Sequence, residues 1–359
     1  MKIAIITGSG GLIGSQSAAF FLGKGFKVVG IDNNLRAYFF GENASTEQNQ
    51  KALATDPNFK GLDIDIRNFE ELEQVFREGS EAIEIVIHTA AQPSHDWAAK
   101  EPLTDFTVNA LGTMNLLELT RLYAHRASFI FTSTNKVYGD SPNRLKIIEK
   151  DTRFEVADDQ IDQLSIGINE AMSIDNSKHS IFGASKVAAD VMVQEYGKYF
   201  GMNTVVFRGG CLTGPNHSGA ELHGFLSYLI KSIVNRKHYT IYGYKGKQVR
   251  DNIHSQDLVN MFWEFHQNPR PGEVYNAGGG RENSTSIVEA INAVNDILHS
   301  IDGREGWCDY SLSDTPRSGD HIWYISDLSK FKKDYPTWRI ERPLNEILVE
   351  MTKLELDKK

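Results

Sequence analysis

The residues best suited to chemistry stand near the start of the chain. Thr7-Gly8-Ser9-Gly10-Gly11-Leu12-Ile13-Gly14 puts glycines at 8, 11 and 14 between a β-branched run and an amphipathic stretch. Glycine lets the backbone turn sharply and approach a pyrophosphate, and a helix starting at that turn offers free N–H groups and a partial positive charge. The triplet alone also reads as a glycine turn between packed elements. Asp32 shifts the balance: it lies 18 residues after Gly14, at the end of the next apolar run. A carboxylate there accepts both ribose hydroxyls and repels a 2′-phosphate. The two features together predict NAD rather than NADP.

Such residues need a sheet to hold them. Short β-branched runs at 2–6, 27–31, 84–88 and 128–132 alternate with helical patterns at 12–22, 69–76, 103–123 and 182–200. In the last of these, Val187, Ala188, Val191, Met192 and Tyr196 recur at helical spacing. Continuous apolar strands alternating with helices imply an α/β class, a Rossmann-like doubly wound parallel sheet. Beyond Gly209 the pattern is irregular and richer in glycine, histidine and aromatic residues. Strands are expected there at 239–242 and 273–276, and helices near 256–265, 286–297 and 344–354. The expected organisation is a dinucleotide-binding domain over 1–208, to which 250–280 returns, and a smaller α/β substrate domain made of 209–249 and 281–359. The polar stretch 41–58 reads as a surface loop or short helix.

Composition excludes several classes. The 359 residues carry 38 basic and 47 acidic side chains, a net charge of −9, with 40% hydrophobic residues. This is an ordinary globular balance. Without clustered Lys or Arg it argues against a nucleic-acid partner, whose binding is largely phosphate neutralisation. No apolar run approaches the ~20 residues of a membrane helix, and Met1–Ile6 leads into the glycine turn rather than a cleavage site. Two cysteines, Cys211 and Cys308, in so long a chain read as thiols of a reducing compartment, so a cytoplasmic location is expected. His217, His223 and His321 repeat no ligand spacing; they are candidates for contact with a sugar or base, and no metal is expected.

Four further stretches follow the glycine triplet in order: Asp65-Ile66-Arg67-Asn68, His88-Thr89-Ala90-Ala91-Gln92, Asn109-Ala110-Leu111-Gly112-Thr113 and Thr132-Ser133-Thr134-Asn135-Lys136-Val137-Tyr138-Gly139. Together they resemble the extended short-chain dehydrogenase/reductase family of NAD-dependent nucleotide-sugar epimerases and dehydratases, over nearly the whole chain. The resemblance implies cofactor contacts from Gly8, Gly11, Gly14, Asp32, Asp65 and Ile66, the acidic residue meeting adenine. It adds Ala90, Gln92 and Asn109 along the cofactor, and Lys186 on the nicotinamide ribose. Thr134 is implied as the catalytic hydroxyl and, with Asn135, as a sugar contact. Arg250 and Arg317 match the two arginines aimed at the nucleotide diphosphate, a task suited to planar guanidinium donors. A homodimer built on helices 103–123 and 182–200 is implied as well.

One position departs from the family pattern. There a tyrosinate, acidified by the lysine four residues on, takes the hydroxyl proton as hydride leaves the sugar carbon. This chain reads Ser180-Ile181-Phe182-Gly183-Ala184-Ser185-Lys186, and the phenyl of Phe182 cannot carry a proton. One reading gives the proton to another group. His179 comes first because imidazole titrates near neutrality, followed by Tyr138, Glu170, Lys136 and Cys211. A second takes Phe182 as a tyrosine replaced by design to trap substrate, and a third as the mark of a non-catalytic nucleotide-sugar binder.

The family's dehydratases place an Asp-Glu pair after the active-site threonine; here Asn135 and Lys136 follow Thr134. That leaves epimerisation, in which NAD oxidises a ring carbon, the ketone turns over and hydride returns to its other face. Stretches 133–140, 203–208 and 246–251 resemble the family's 2-epimerases of CDP-linked sugars, which implies C2 as the carbon. A dehydratase or lyase with an altered base is the remaining alternative.

Overall fold

The computed structural model describes residues 2–160, 166–216, 224–317 and 319–358; His217 and His223 lie outside them. Two compact units emerge. The first comprises 1–137, 179–209 and 258–275, and the second 138–178, 210–257 and 276–359. The division differs from the sequence boundaries at 138–178, 250–257 and 276–280, which all fall in the second unit. Residues 138–178 group with the second unit because Tyr138, Gly139 and Ile168 bond to Asn276, His321 and Ile325 there. Residues 250–257 also stay in it, since Val249–His254 pairs with strands of that unit.

The first unit is built on strands β1 (Ile3–Thr7), β2 (Lys27–Ile31), β3 (Phe59–Leu62), β4 (Ile83–His88), β5 (Ser128–Thr134), β6 (Asn203–Gly209) and β7 (Glu273–Ala277). They form one sheet in the order β7-β6-β5-β4-β1-β2-β3. Strands β1 to β6 pair in parallel. This is the doubly wound α/β arrangement expected from the strand–helix alternation. The chain reverses its direction of travel through the sheet between β1 and β4, and ligands of open α/β sheets bind outside the carboxyl ends of the strands at such a switch. β3 escapes a periodicity search because Phe-Lys-Gly-Leu is a short, partly exposed edge strand without alternation.

The stretch 103–123 is not one regular helix. It runs as Pro102–Phe106, a π-helical turn Thr107–Leu111 and Gly112–Tyr123. A π turn slips the register by one residue, which a 3.6-residue pattern cannot foresee. The polar stretch 41–58 contains the helix Glu47–Leu53, which packs on the glycine turn: Asn49 Nδ2 donates to Gly10 O (2.8 Å), and Gln50 Nε2 to Ser9 Oγ (3.2 Å).

In the second unit, Val249–His254 pairs antiparallel with Ser284–Ser286 and parallel with Trp323–Tyr324 and Cys211–Thr213. Tyr239–Tyr242 pairs in parallel with Tyr310–Ser313. Helices Phe225–Val234, Ile287–Asp302 and Leu344–Leu356 bury Leu229, Ile233, Ile291, Val294, Ile347 and Met351 against one another. A capping box starts the second of these helices: Ser286 Oγ accepts from Glu289 N–H (3.1 Å), and Glu289 accepts from Ser286 N–H (2.9 Å).

His88, at the carboxyl end of β4, ties that strand to its neighbours. Its Nδ1 lies 2.7 Å from Thr7 Oγ1 and its Nε2 2.9 Å from Thr113 Oγ1. Burial, with the Lys186 charge adding to it, pushes its pKa down to about 3. The folded value lies below the unfolded 6.5, so the unfolded chain takes up a proton that the folded one refuses as pH falls through that window. Stability is expected to fall from pH 6.5 toward about 3, and His88→Gln should flatten that slope in urea denaturation. An unchanged slope would show that another group sets it.

Candidate active site

The glycine turn is locked by contact. Gly8 has φ +66°, and its N–H donates to Ile31 O (2.8 Å). A Cβ on Gly8 would meet Ala90 N at 2.8 Å, and one on Gly14 would meet Gly8 O at 2.0 Å. Gly11 caps the helix Leu12–Gly23 with no side-chain hydrogen bond, so the first N–H groups of that helix need another acceptor. A backbone cradle that any Cβ would fill, at a helix start without a side-chain cap, suits a pyrophosphate. The residues present thus fit a dinucleotide.

Asp32 follows β2 and reaches back to the turn. Its Oδ2 accepts from Gly10 N–H (2.8 Å), while Oδ1 accepts from Asn34 N–H (2.8 Å) and Thr46 Oγ1 (3.2 Å). Asp65 is held by Arg67 N–H, Nε and Nη2 (2.9, 2.9 and 2.6 Å) and by Asn33 Nδ2 (3.2 Å). Burial pulls the Asp65 carboxyl upward, but these bonds outweigh it and hold it below the usual carboxylate range. Ile66 is buried beneath Gly112, whose absent Cβ would lie 2.5 Å from Ile66 Cδ1. Ala90 N–H donates to Thr7 Oγ1 (3.3 Å).

Gln92 and Asn109 lie inside the unit rather than on its surface. Asn109 Oδ1 accepts from Gln92 N–H (2.9 Å), and its Nδ2 reaches Gln92 O, Asp105 Oδ1 and Ser185 Oγ at 3.0 to 3.1 Å. Asp105 also receives Gln92 Nε2 (2.7 Å) and is fully buried, which raises its pKa. Sequence reasoning missed Asp105, because a carboxylate on an amphipathic helix reads as a solvated one.

The helix Ser180–Phe200 carries Phe182 and Lys186 on its buried face, one turn apart. Lys186 Nζ donates to Thr132 O (2.9 Å) and stands 4.2 Å from the centre of the Phe131 ring. Burial pushes this ammonium down to about 8, against the pull of Asp190 and Asp105. Thr134 ends β5, its Oγ1 accepting from Lys136 N–H (3.2 Å), and Asn135 beside it is buried. His179 is the N-cap residue of the long helix, its Cβ 3.1 Å from where a Cβ on Gly183 would lie. Phe182 instead meets His95, a residue the sequence reading did not single out: the ring centres are 4.9 Å apart. No spacing rule connects positions 95 and 182.

In the second unit, Arg250 and Arg317 line one pocket of about 80 Å³ with Phe225, Tyr239, Tyr242 and Gln248. Arg250 donates to Val249 O (2.7 Å) and to the Asp320 carboxylate; the Arg317 guanidinium lies 5.0 Å from the centre of the Tyr242 ring. Other sequence candidates are committed elsewhere. Tyr138 is fully buried and donates to Asn276 Oδ1 (2.7 Å), and Glu170 accepts from Asn276 N–H (2.7 Å). His321, a candidate for ligand contact, is fully buried with Nε2 2.8 Å from Gly139 O. Asp257 accepts from Glu341 and Arg342 N–H (3.2 and 3.1 Å), pinning a turn distant in sequence.

Comparison with known proteins agrees with this architecture. The model of the NAD dependent epimerase/dehydratase family matches residues 4–278. The CDP-paratose 2-epimerase of Salmonella typhi is 30% identical over 338 residues, 92% of each chain. The dTDP-glucose 4,6-dehydratase of Escherichia coli is 27% identical, covering 93% of this chain and 88% of that one. Among solved structures, the dTDP-glucose 4,6-dehydratase DesIV of Streptomyces venezuelae, with NAD and TYD bound, superposes with TM-score 0.78 at 19% identity, over 99% and 97% of the two chains. The glycine turn, the sheet order and a family match spanning most of the sequence lead to one conclusion: this chain belongs to the NAD-dependent epimerase/dehydratase family.

Proposed function

We propose that the chain is an NAD-dependent nucleotide-sugar epimerase that inverts C2 of a CDP-linked sugar through a transient ketone. One observation carries the reading: the position after Thr134 holds a buried neutral amide, Asn135, and then Lys136, where the family's dehydratases place an acid pair. Elimination of water needs an acid and a base there, whereas epimerisation needs neither. The 30% identity with a CDP-paratose 2-epimerase over nearly the whole chain supports C2 as the carbon.

In this reading the start of Leu12–Gly23 and Gly8, Gly11 and Gly14 hold the pyrophosphate of NAD, and Asp32 its adenosine ribose. Asp65 and Ile66 flank the adenine; Ala90, Gln92 and Asn109 support the strand ends along the dinucleotide. Bound NAD supplies the hydride acceptor and donor. Lys186 holds the nicotinamide ribose, and its lowered pKa lets it give up a proton more readily than a surface lysine. Thr134 and Asn135 orient the sugar, the former through its hydroxyl. Arg250 and Arg317 grip the diphosphate, and the aromatic walls of their pocket take the base. Phe182 favours a second reading, a nucleotide-sugar binder without turnover.

The paucity of cysteine supports a cytoplasmic place. A homodimer is part of the proposal: Leu103, Phe106, Leu111, Met114 and Leu122 are exposed along one helical face, and Val191, Tyr199 and Phe200 along the other long helix. Apolar stripes of this kind suit a second copy.

Protein purified without added cofactor should release near-stoichiometric NAD on denaturation, read by mass spectrometry, and convert a CDP-linked sugar to its C2 epimer by NMR. Recovery of NADP or no dinucleotide, a dehydrated product, or binding without conversion would each refute the epimerase. Arg250→Ala and Arg317→Ala should each weaken CDP-sugar binding by about 10- to 100-fold in calorimetry, as loss of a hydrogen bond to a charged group predicts. Leu103→Lys combined with Leu111→Lys should halve the sedimentation mass while leaving the urea midpoint in place. A mass that does not change would exclude this face as the interface.

A further inference from the structure

Removal of a tyrosine hydroxyl leaves the hydride chemistry without a proton acceptor, and the first unit places an imidazole against the ring that lacks it. His95 opens the helix His95–Lys100, whose start is fixed by Ser94 Oγ accepting from Trp97 N–H (3.3 Å). Its ring meets Phe182 edge to face, with centres 4.9 Å apart and planes at 70°. Its Nδ1 lies 2.8 Å from Ser180 Oγ. Ser180 is itself held: its Oγ accepts from Gly183 N–H (3.3 Å), and its φ of +62° is a left-handed conformation that a serine adopts only when its surroundings impose it. The serine therefore fixes the imidazole.

The two ring nitrogens have separate tasks. Nδ1 is the nitrogen hydrogen-bonded to Ser180 Oγ, and Nε2 lies on the other side of the ring. We propose that His95 is the general base of this enzyme, doing through Nε2 what the family's tyrosine does through its phenolate, with Ser180 as the group that orients its ring. The inference rests on the epimerase reading. In the forward step the sugar O–H bond breaks and its proton passes to Nε2, making an imidazolium. The C–H electron pair would leave as hydride, which bound NAD would accept, and the ring carbon would become a ketone. In the return step hydride would add to the opposite face of that carbonyl, and the imidazolium would give its proton back to the oxygen. Protons and electrons balance without another reactant.

The test compares wild-type holoenzyme with His95→Gln and His95→Ala on a CDP-linked sugar. Bound NAD is measured by mass spectrometry, sugar affinity by calorimetry, and the reduced nicotinamide by its absorbance in a single turnover. Expected is a fall in turnover of about 10²- to 10⁴-fold in both variants, with bound NAD and sugar affinity within a few-fold of wild type. Added imidazole should restore part of the rate in His95→Ala. Turnover by His95→Gln near the wild-type rate would overturn the role of His95 alone, as would a loss explained wholly by weaker sugar binding. A wild-type protein that holds NAD yet reduces none of it with any nucleotide sugar would overturn the epimerase reading and His95 with it.

Discussion

A single buried carboxylate holds the first unit's site in register. Asp190, on the helix Ser180–Phe200, accepts from Ser133 Oγ on β5 (2.7 Å) and from Arg208 Nε and Nη2 on β6 (3.0 and 2.9 Å). Asp190 is 1% exposed and Arg208 4%. Removing either partner would leave a charge stranded in a low dielectric, a loss of about 3–5 kcal/mol. Because the three bonds stop the helix from rotating on its axis, Lys186 and Phe182, one and two turns toward its start, arrive on the same buried face. Thr134 is the neighbour of Ser133, so the strand end is held by the same anchor.

Burial then sets the charge of what the anchor delivers. Low dielectric favours the neutral form of every titratable group, whichever its sign. It lowers Lys186 to about 8 and His88 to about 3, and it raises Asp105. The neutral donors Gln92 and Asn109 both reach Asp105 Oδ1, so they bond to its carboxyl without adding charge. A lysine lowered to about 8 gives up its proton more readily than a surface lysine.

The second unit holds two guanidinium groups in fixed places. Arg250 rests on the Asp320 carboxylate, and Arg317 lies over the Tyr242 ring. Both partners favour a planar cation. In the proposed reading, an entering diphosphate would compete with Asp320 for Arg250, so part of its attraction would go into displacing a carboxylate. Gln248 Nε2 donates to Tyr242 O (3.2 Å), which fastens the aromatic strand to the strand carrying Arg250.

Much of this was legible in the residues. The glycine spacing, Asp32 and the alternation of apolar runs with helical patterns specify a dinucleotide fold because they depend on local backbone geometry and on periodicity, both of which are written along the chain. The absence of a hydroxyl at Phe182 and of an acid pair after Thr134 was equally plain, since it is a matter of side-chain type. The π turn at Thr107–Leu111, the edge strand Phe59–Leu62 and the packing of the helix Glu47–Leu53 on the glycine turn were not. Their stability comes from packing rather than from propensity or pattern. Only the tertiary structure decided that His321 and Tyr138 are interior groups, that Asp105 is buried, and that His95, 87 positions before Phe182 in the sequence, stands against its ring. Contacts between residues so far apart depend on how strands and helices stack, and no local signal in the chain encodes them.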